Sequence, residues 1–447
     1  MRVKLLAIAI VCVIASTGFA GTLNNKTTAA MLARKAVSEN AAEAAAAIAE
    51  LRAMGPAGLE TFLSAHAAEL QARRMEIATP NPPAATAVWQ RLSTALDGIA
   101  GQKDSFASEL YWYTDFEQAK QAALAGGKPI LSLRLLGRLD EEMSCANSRY
   151  FRITLYANEA VSKLLRERYI LHWQTWRPVP KITIDFGDGR KLERTITGNS
   201  IHYILDSNGR VIDALPGVYG PQTFQRELER IEVTARQCHA ARTEGDRAAL
   251  LYAYHRARLT ELTTNWTADL AKAQISLPLP KASTGTNASA ADTPRAEVAM
   301  RAAMSKARVE RPILRTFSPN PRLLDEQPED AGWARLGALH ADDTQLDARS
   351  RALMRSKNLS RFANAPAEMQ RVVTTMERVM AMDATRNEYM FRRQLHEWFL
   401  NGVVTDNLAQ LNEKVYAELF LTPSADKWLG LFPNDSYTAI ENDGVRR

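Results

Sequence analysis

The chain is poor in the residues that usually carry chemistry. It holds three cysteines and seven histidines in 447 residues. Cys12 lies inside an apolar N-terminal run, which leaves only Cys145 and Cys238 to react or to pair. His396-Glu397 lacks the second histidine of a zinc-binding H-E-x-x-H. His172, His202, His239 and His255 stand at no ligand spacing, so these side chains are expected to pack or to face solvent, and no metal is expected. No Gly-x-Ser-x-Gly elbow occurs. Gly187-Asp188-Gly189 reads as a hairpin turn, because no glycine-rich strand-to-helix loop follows it, and no cofactor is expected. A basic run with interleaved aromatics is also missing. The formal charge is +6; loss of Arg2 and Lys4 with a leader would take it to about +4 with both signs mixed along the chain, which argues against a nucleic-acid partner.

What is present falls into segments. Residues 1–20 carry Arg2 and Lys4, an apolar run from Leu5 to Ala15, and Gly18-Phe19-Ala20 before Gly21. That is the pattern of a bacterial secretory signal with a small-residue cleavage site, too short for a stable membrane anchor, so a periplasmic or secreted protein is expected. At 46% hydrophobic the remaining chain can bury two or three cores. Alanine-rich residues 21–104 predict three helices: Thr28 to Met54, Gly58 to Arg74, and Ala87 to Ile99. A helix starting at Pro221 is expected to continue through Gly245, with 244–275 as a helical extension. Residues 276–296 have the Pro, Ser, Thr and Ala content of a flexible linker. Beyond it, 297–447 predicts a C-terminal helical domain, with one apolar stripe at Met369, Val373, Met376 and Met380 and another at Leu408, Leu411, Val415 and Leu419.

The stretch Gly127 to Ser148, GKPILSLRLLGRLDEEMSCANS, joins a buried strand (Ile130 to Leu136) to a helix start at Cys145. Unpaired backbone N–H groups at such a start favour a thiolate. Upstream, a helix is expected to stop at Gly126-Gly127. Downstream come an apolar run Tyr169 to Trp173, a hairpin around Asp185 to Gly189, and strands Ile201 to Leu205 and Val211 to Leu215. The Ser207-Asn208-Gly209 turn predicts that the last two strands form a hairpin.

This order resembles the thioredoxin superfamily, and more closely its bacterial branch in which a KPIxL strand precedes C-x-x-C and a short helix. The resemblance implies an α/β thioredoxin-like domain over 105–243, a mixed sheet with flanking helices, between N-terminal and C-terminal helical regions. It places Cys145 at the family's nucleophile, Ser148 at its resolving cysteine, and Ser200 at its cis-proline, so the motif here is C-x-x-S. On a continuous helix from Pro221, Cys238 would lie about 25 Å along the axis, in this fold running away from Cys145. A disulfide between them is therefore not expected, since its Cα atoms must lie within about 7 Å.

With the second cysteine and the proline replaced, the expected function is a binding or scaffold module for an unknown protein partner. The alternative is a single-cysteine thiol-disulfide redox protein. There Cys145 would attack, an external thiol would release the mixed disulfide, and Ser148 would hydrogen-bond the thiolate. Arg149 would then favour the thiolate, and Asp140, Glu141 and Glu142 would oppose it.

Overall fold

A computed structural model describes residues 27–275 except Thr197, together with 296–301, 310–315, 322, 325, 328–402, 406–432 and 439–445. The expected signal segment and all but the last residue of the expected linker lie outside these residues.

The architecture is a mixed five-stranded sheet surrounded by helices. Strands β1 (Trp112–Tyr113), β2 (Ile130–Leu136), β3 (Ile170–Arg177), β6 (Ser200–Leu205) and β7 (Val211–Pro216) lie in the order β1-β3-β2-β6-β7. β1 and β2 run parallel to β3, while β6 is antiparallel to both β2 and β7. All seven residues of β2 are buried, Ser132 and Arg134 included, as in a central strand covered on both faces. Leu133 pairs with Trp173 on one side and His202 on the other. β4 (Lys181–Asp185) and β5 (Lys191–Thr195) form a separate two-stranded hairpin at the expected turn. The β6–β7 hairpin also forms as expected; Gly209 supplies a φ of +86°, and Asp206 caps the turn by accepting from Asn208 N and Arg210 N.

Helix α6 (Phe116–Gly126) starts with Asp115 accepting from Gln118 N and stops at Gly127 with φ +61°, as expected. α8 (Glu159–Arg168) leads into β3. α9 (Pro221–Ala240) does not continue through Gly245. The chain turns at Ala241, and α10 (Glu244–Lys272) begins where Thr243 accepts from Asp246 N. α10 runs back along α9, so Arg258 meets Glu227 and Arg230 meets Glu261.

The N-terminal region holds more helices than expected. The predicted helix Thr28 to Met54 divides into α1 (27–35) and α2 (Ala41–Ala53), because Asn40 takes a β conformation and caps Ala42 N and Glu43 N. The predicted Gly58 to Arg74 helix divides at His66 into α3 (Pro56–Ala65) and α4 (Ala67–Ala78), and α5 (Ala87–Ala100) follows. Leu51, Phe62, Leu96 and Ile99 form the core of this arm. Arg52 ties it to the sheet by donating to Ile99 O at 2.8 Å and Trp112 O at 2.5 Å.

In the C-terminal region, α16 (Pro366–Arg386) carries the methionine stripe, and a π-helical turn (Asn387–Arg392) joins it to α17 (Arg393–Leu400). α18 (Leu408–Lys414) continues into a second π-helical turn (Val415–Leu419). Leu133 and Tyr203 of the sheet share one apolar core with Val373, Leu395, Tyr416 and Phe420. Among the described residues no helix is long and apolar enough to cross a membrane.

Candidate functional site

Cys145 precedes the five-residue helix α7 (Ala146–Tyr150) as its N-cap, eight residues or so beyond the central strand and tied back to it by Cys145 N donating to Leu136 O at 3.3 Å. Its Sγ lies 3.5 Å from Ser148 Oγ, and the Ser148 hydroxyl donates to Cys145 O at 2.9 Å. Cys145, Ser148 and Ser200 are all fully buried. Ser200 opens β6 opposite Leu135, and its Oγ has no hydrogen-bond partner among the described residues. Every described peptide bond is trans. The residue that touches Cys145 from this loop is Gly198. At φ +138° its backbone approaches so closely that an added Cβ would lie 2.5 Å from Cys145 Cβ.

The charged neighbours expected around the thiol are engaged elsewhere. Arg149 donates to Thr195 Oγ1 at 3.0 Å, Asp140 pairs with Arg138, and Glu142 pairs with Lys357 at 2.9 Å. Cys145 belongs instead to an apolar core with Phe151, Tyr156 and Val179. Cys238, in the last turn of α9, is also buried, and both thiols are free.

The chain's own C-terminal segment packs on β3, β6 and the loop that touches Cys145. Tyr416 stacks on Trp176 of β3 with ring centroids 5.8 Å apart and donates to Asn199 O at 2.8 Å. Asn199 Nδ2 in turn donates to Phe420 O at 3.4 Å. Tyr203 of β6 donates to Asn412 Oδ1 at 3.2 Å, and Arg177 at the end of β3 donates to Pro423 O and Asp426 O at 3.0 and 2.7 Å. Burial raises the Tyr416 phenol well above its ordinary value, which keeps the donor proton in place. Local sequence patterns gave no sign of this packing, because its two halves are separated by the whole helical region.

A second polar centre, also missed from the sequence, lies where β7, α9, α10 and α17 meet. Arg392 is fully buried and reaches Asp213 at 3.0 Å, Glu227 at 2.6 Å and Glu388 at 3.1 Å. Arg258 joins Glu227 and Glu388 at 3.1 and 3.2 Å. Beside them His255 Nδ1 and His396 Nδ1 hydrogen-bond at 3.0 Å, and the Tyr254 hydroxyl donates to Asp213 Oδ2 at 2.5 Å. Burial lowers His255 to about 4 and His396 to about 3, so both rings are neutral at pH 7. Burial raises Glu388 to about 7 against the pull of Arg392.

Asp213, His255 and His396, which show no ligand spacing in sequence, are brought together in the fold with ligand atoms within 4.8 Å of one another. The carboxylate is already held by a guanidinium and a phenol, and the imidazoles meet through Nδ1, leaving His396 Nε2 buried without a partner among the described residues. A divalent ion would sit close to the Arg392 charge. Arg392 on Asp213, with the His255–His396 pair beside it, ties the sheet to α10 and the C-terminal helices. The unexpected signal was available in one place: Asp213 inside an otherwise apolar strand demands a buried partner.

No protein family, curated protein or solved structure matches the chain in comparisons with each.

Proposed function

We propose that residues 105–243 form a thioredoxin-like unit that has left dithiol chemistry and serves a periplasmic or secreted protein as a binding or scaffold module. Support for the fold comes from the mixed sheet with flanking helices, from the central position of the KPILSL strand, and from Cys145 at a helix start with the Gly198–Ser200 loop against it. One observation carries the function: Cys145 is fully buried, and the loop against it is held by the chain's own Tyr416 and Phe420 through Asn199, so no partner disulfide can reach its sulfur. Thiol-disulfide exchange needs in-line access to a thiolate. The single-cysteine redox role would need that segment to leave and Ser148, whose hydroxyl donates to Cys145 O, to turn its proton to the sulfur.

The test is capture of partners from a periplasmic extract by the wild-type chain and by Cys145→Ser, with and without reductant. Partners held equally by both proteins, and not released by reductant, are expected. Covalent capture that depends on Cys145 would overturn the proposal in favour of the redox role.

A further inference from the structure

At the far end of the parallel strands from Cys145, before β2 and β3 begin, the N-terminal arm crosses the sheet without closing on it. The gap is a half-open cleft of about 550 Å³, within the roughly 300 to 1,000 Å³ that small-molecule sites span. Pro56 and Leu63 of α3, with Tyr111, Tyr113 and Ile170 from the sheet side, supply the accessible apolar lining, and Leu59, Leu110, Leu165 and Leu171 are buried behind them. Two tyrosines of the lining present rings rather than free hydroxyls: Tyr111 donates to Arg52 O at 3.0 Å and Tyr169 to Leu228 O at 2.6 Å.

The rim is ionic. Lys128 and Arg166 both line the cavity. Lys128 has three donors and one long contact, 3.4 Å to Arg166 O, so most of its hydrogen-bonding capacity is open. Arg166 donates to Ser108 O with one of its nitrogens. Of the two lining carboxylates, Glu109 is neutralised by Arg74, and Glu60 is exposed on α3. The mouth therefore keeps an excess of positive charge over an apolar lining.

We propose that this cleft binds a small amphiphile, an alkyl chain lying along Leu63, Ile170 and the tyrosine rings with a carboxylate head against Lys128 and Arg166. The proposal stands apart from the thioredoxin-like reading, since it uses neither Cys145 nor the loop against it.

Calorimetric titration of the full chain with dodecanoate, kept below its micelle concentration, tests it, with dodecylammonium as the opposite-charge control. Saturable dodecanoate binding is expected, with little response to dodecylammonium. Lys128→Glu should weaken dodecanoate about tenfold or more. Ser64→Trp and Ala67→Trp, both at exposed positions of the lining, should obstruct the cavity and abolish binding while leaving the thermal melt unchanged. Two such variants keep the test valid if one fails to fold. Absence of saturable binding, equal binding of both head groups, or binding unchanged in Lys128→Glu and the folded tryptophan variant would each overturn the proposal.

Discussion

The Tyr416 hydroxyl donates to the carbonyl of Asn199, a hydrogen bond at 2.8 Å that spans 217 positions of sequence. Asn199 is the neighbour of Gly198, whose backbone touches Cys145, so a C-terminal aromatic fixes the loop against the buried thiol. The apolar core common to the sheet and the C-terminal helices includes Tyr416 itself. The hold on the loop against Cys145 is thus drawn from outside the 105–243 segment.

Two substitutions at Tyr416 should separate packing from hydrogen bonding. Tyr416→Phe keeps the ring on Trp176 and leaves the Asn199 carbonyl without this donor, so a loss of about 1 to 3 kcal/mol is expected. Tyr416→Ala empties a fully buried aromatic site and should cost about 3 to 5 kcal/mol, the range of buried aromatic truncations. Alkylation of Cys145 by a thiol reagent in the folded state should accelerate in Tyr416→Ala far more than in Tyr416→Phe. Equal, fast alkylation of the wild-type chain would show that the segment does not cover the sulfur.

Gly198→Ala forces a side chain into a positive-φ position and against Cys145 Cβ. Overpacking of this kind costs roughly 1 to 3 kcal/mol before the backbone strain is added. Because the collision is with Cβ and not with the sulfur, adding Cys145→Ala should give no rescue. Urea midpoints of the two single variants and the double variant check this. Recovery in the double variant would place the sulfur, not the backbone approach, at the contact.

Much of the sheet was legible because its signals are local. β2 is a mainly apolar run between Pro129 and Gly137, interrupted by Ser132 and Arg134, and the β6–β7 turn carries Asn208-Gly209, so each could be placed within a window of ten residues. The start of α10 was legible in principle too, through Thr243 three positions before Asp246, but the surrounding helical periodicity masked it. The charged clamp was not legible in the same way. Arg392 is one residue in a helical stripe, and its partners Asp213 and Glu227 sit on a strand and a helix far upstream. Nor does a helix-start cysteine reveal what will hold the loop against it. Local pattern therefore located Cys145 and Ser148 side by side but could not supply Tyr416.

The 276–296 segment should be where limited proteolysis cuts first, given its composition. The two products should not part under native conditions, because sheet and C-terminal helices share one core and the Arg392 clamp crosses between them. Co-elution in gel filtration and separation in urea are the expected results. A first cut between Ile130 and Leu205, or free native fragments, would contradict this arrangement.

Acid should weaken the fold well before its carboxylates are titrated. Four buried histidines are held neutral by desolvation: His172, His202 and His396 near 3, and His255 near 4. Free histidine titrates near 6.5, so below about pH 6.5 the unfolded chain binds protons that the folded chain refuses, and stability falls with pH. Glu388 acts in the opposite sense. Its folded value near 7 lies above that of an unfolded glutamate, so between about pH 7 and 4.5 the folded chain takes up a proton that the unfolded chain does not. Four protons against one leave about three net, on the order of 4 kcal/mol per pH unit between roughly pH 6 and 5. Thermal melts at fixed ionic strength should therefore drop steeply from pH 7 to pH 5. Glu388→Gln should steepen that drop by deleting the opposing proton. His202, whose Nε2 meets the Tyr156 hydroxyl at 2.6 Å, should make its own contribution, so His202→Gln should flatten the profile even if it lowers stability at pH 7. A melting temperature that held steady or rose on acidification to pH 5 would mean that these imidazoles are not buried in the neutral form.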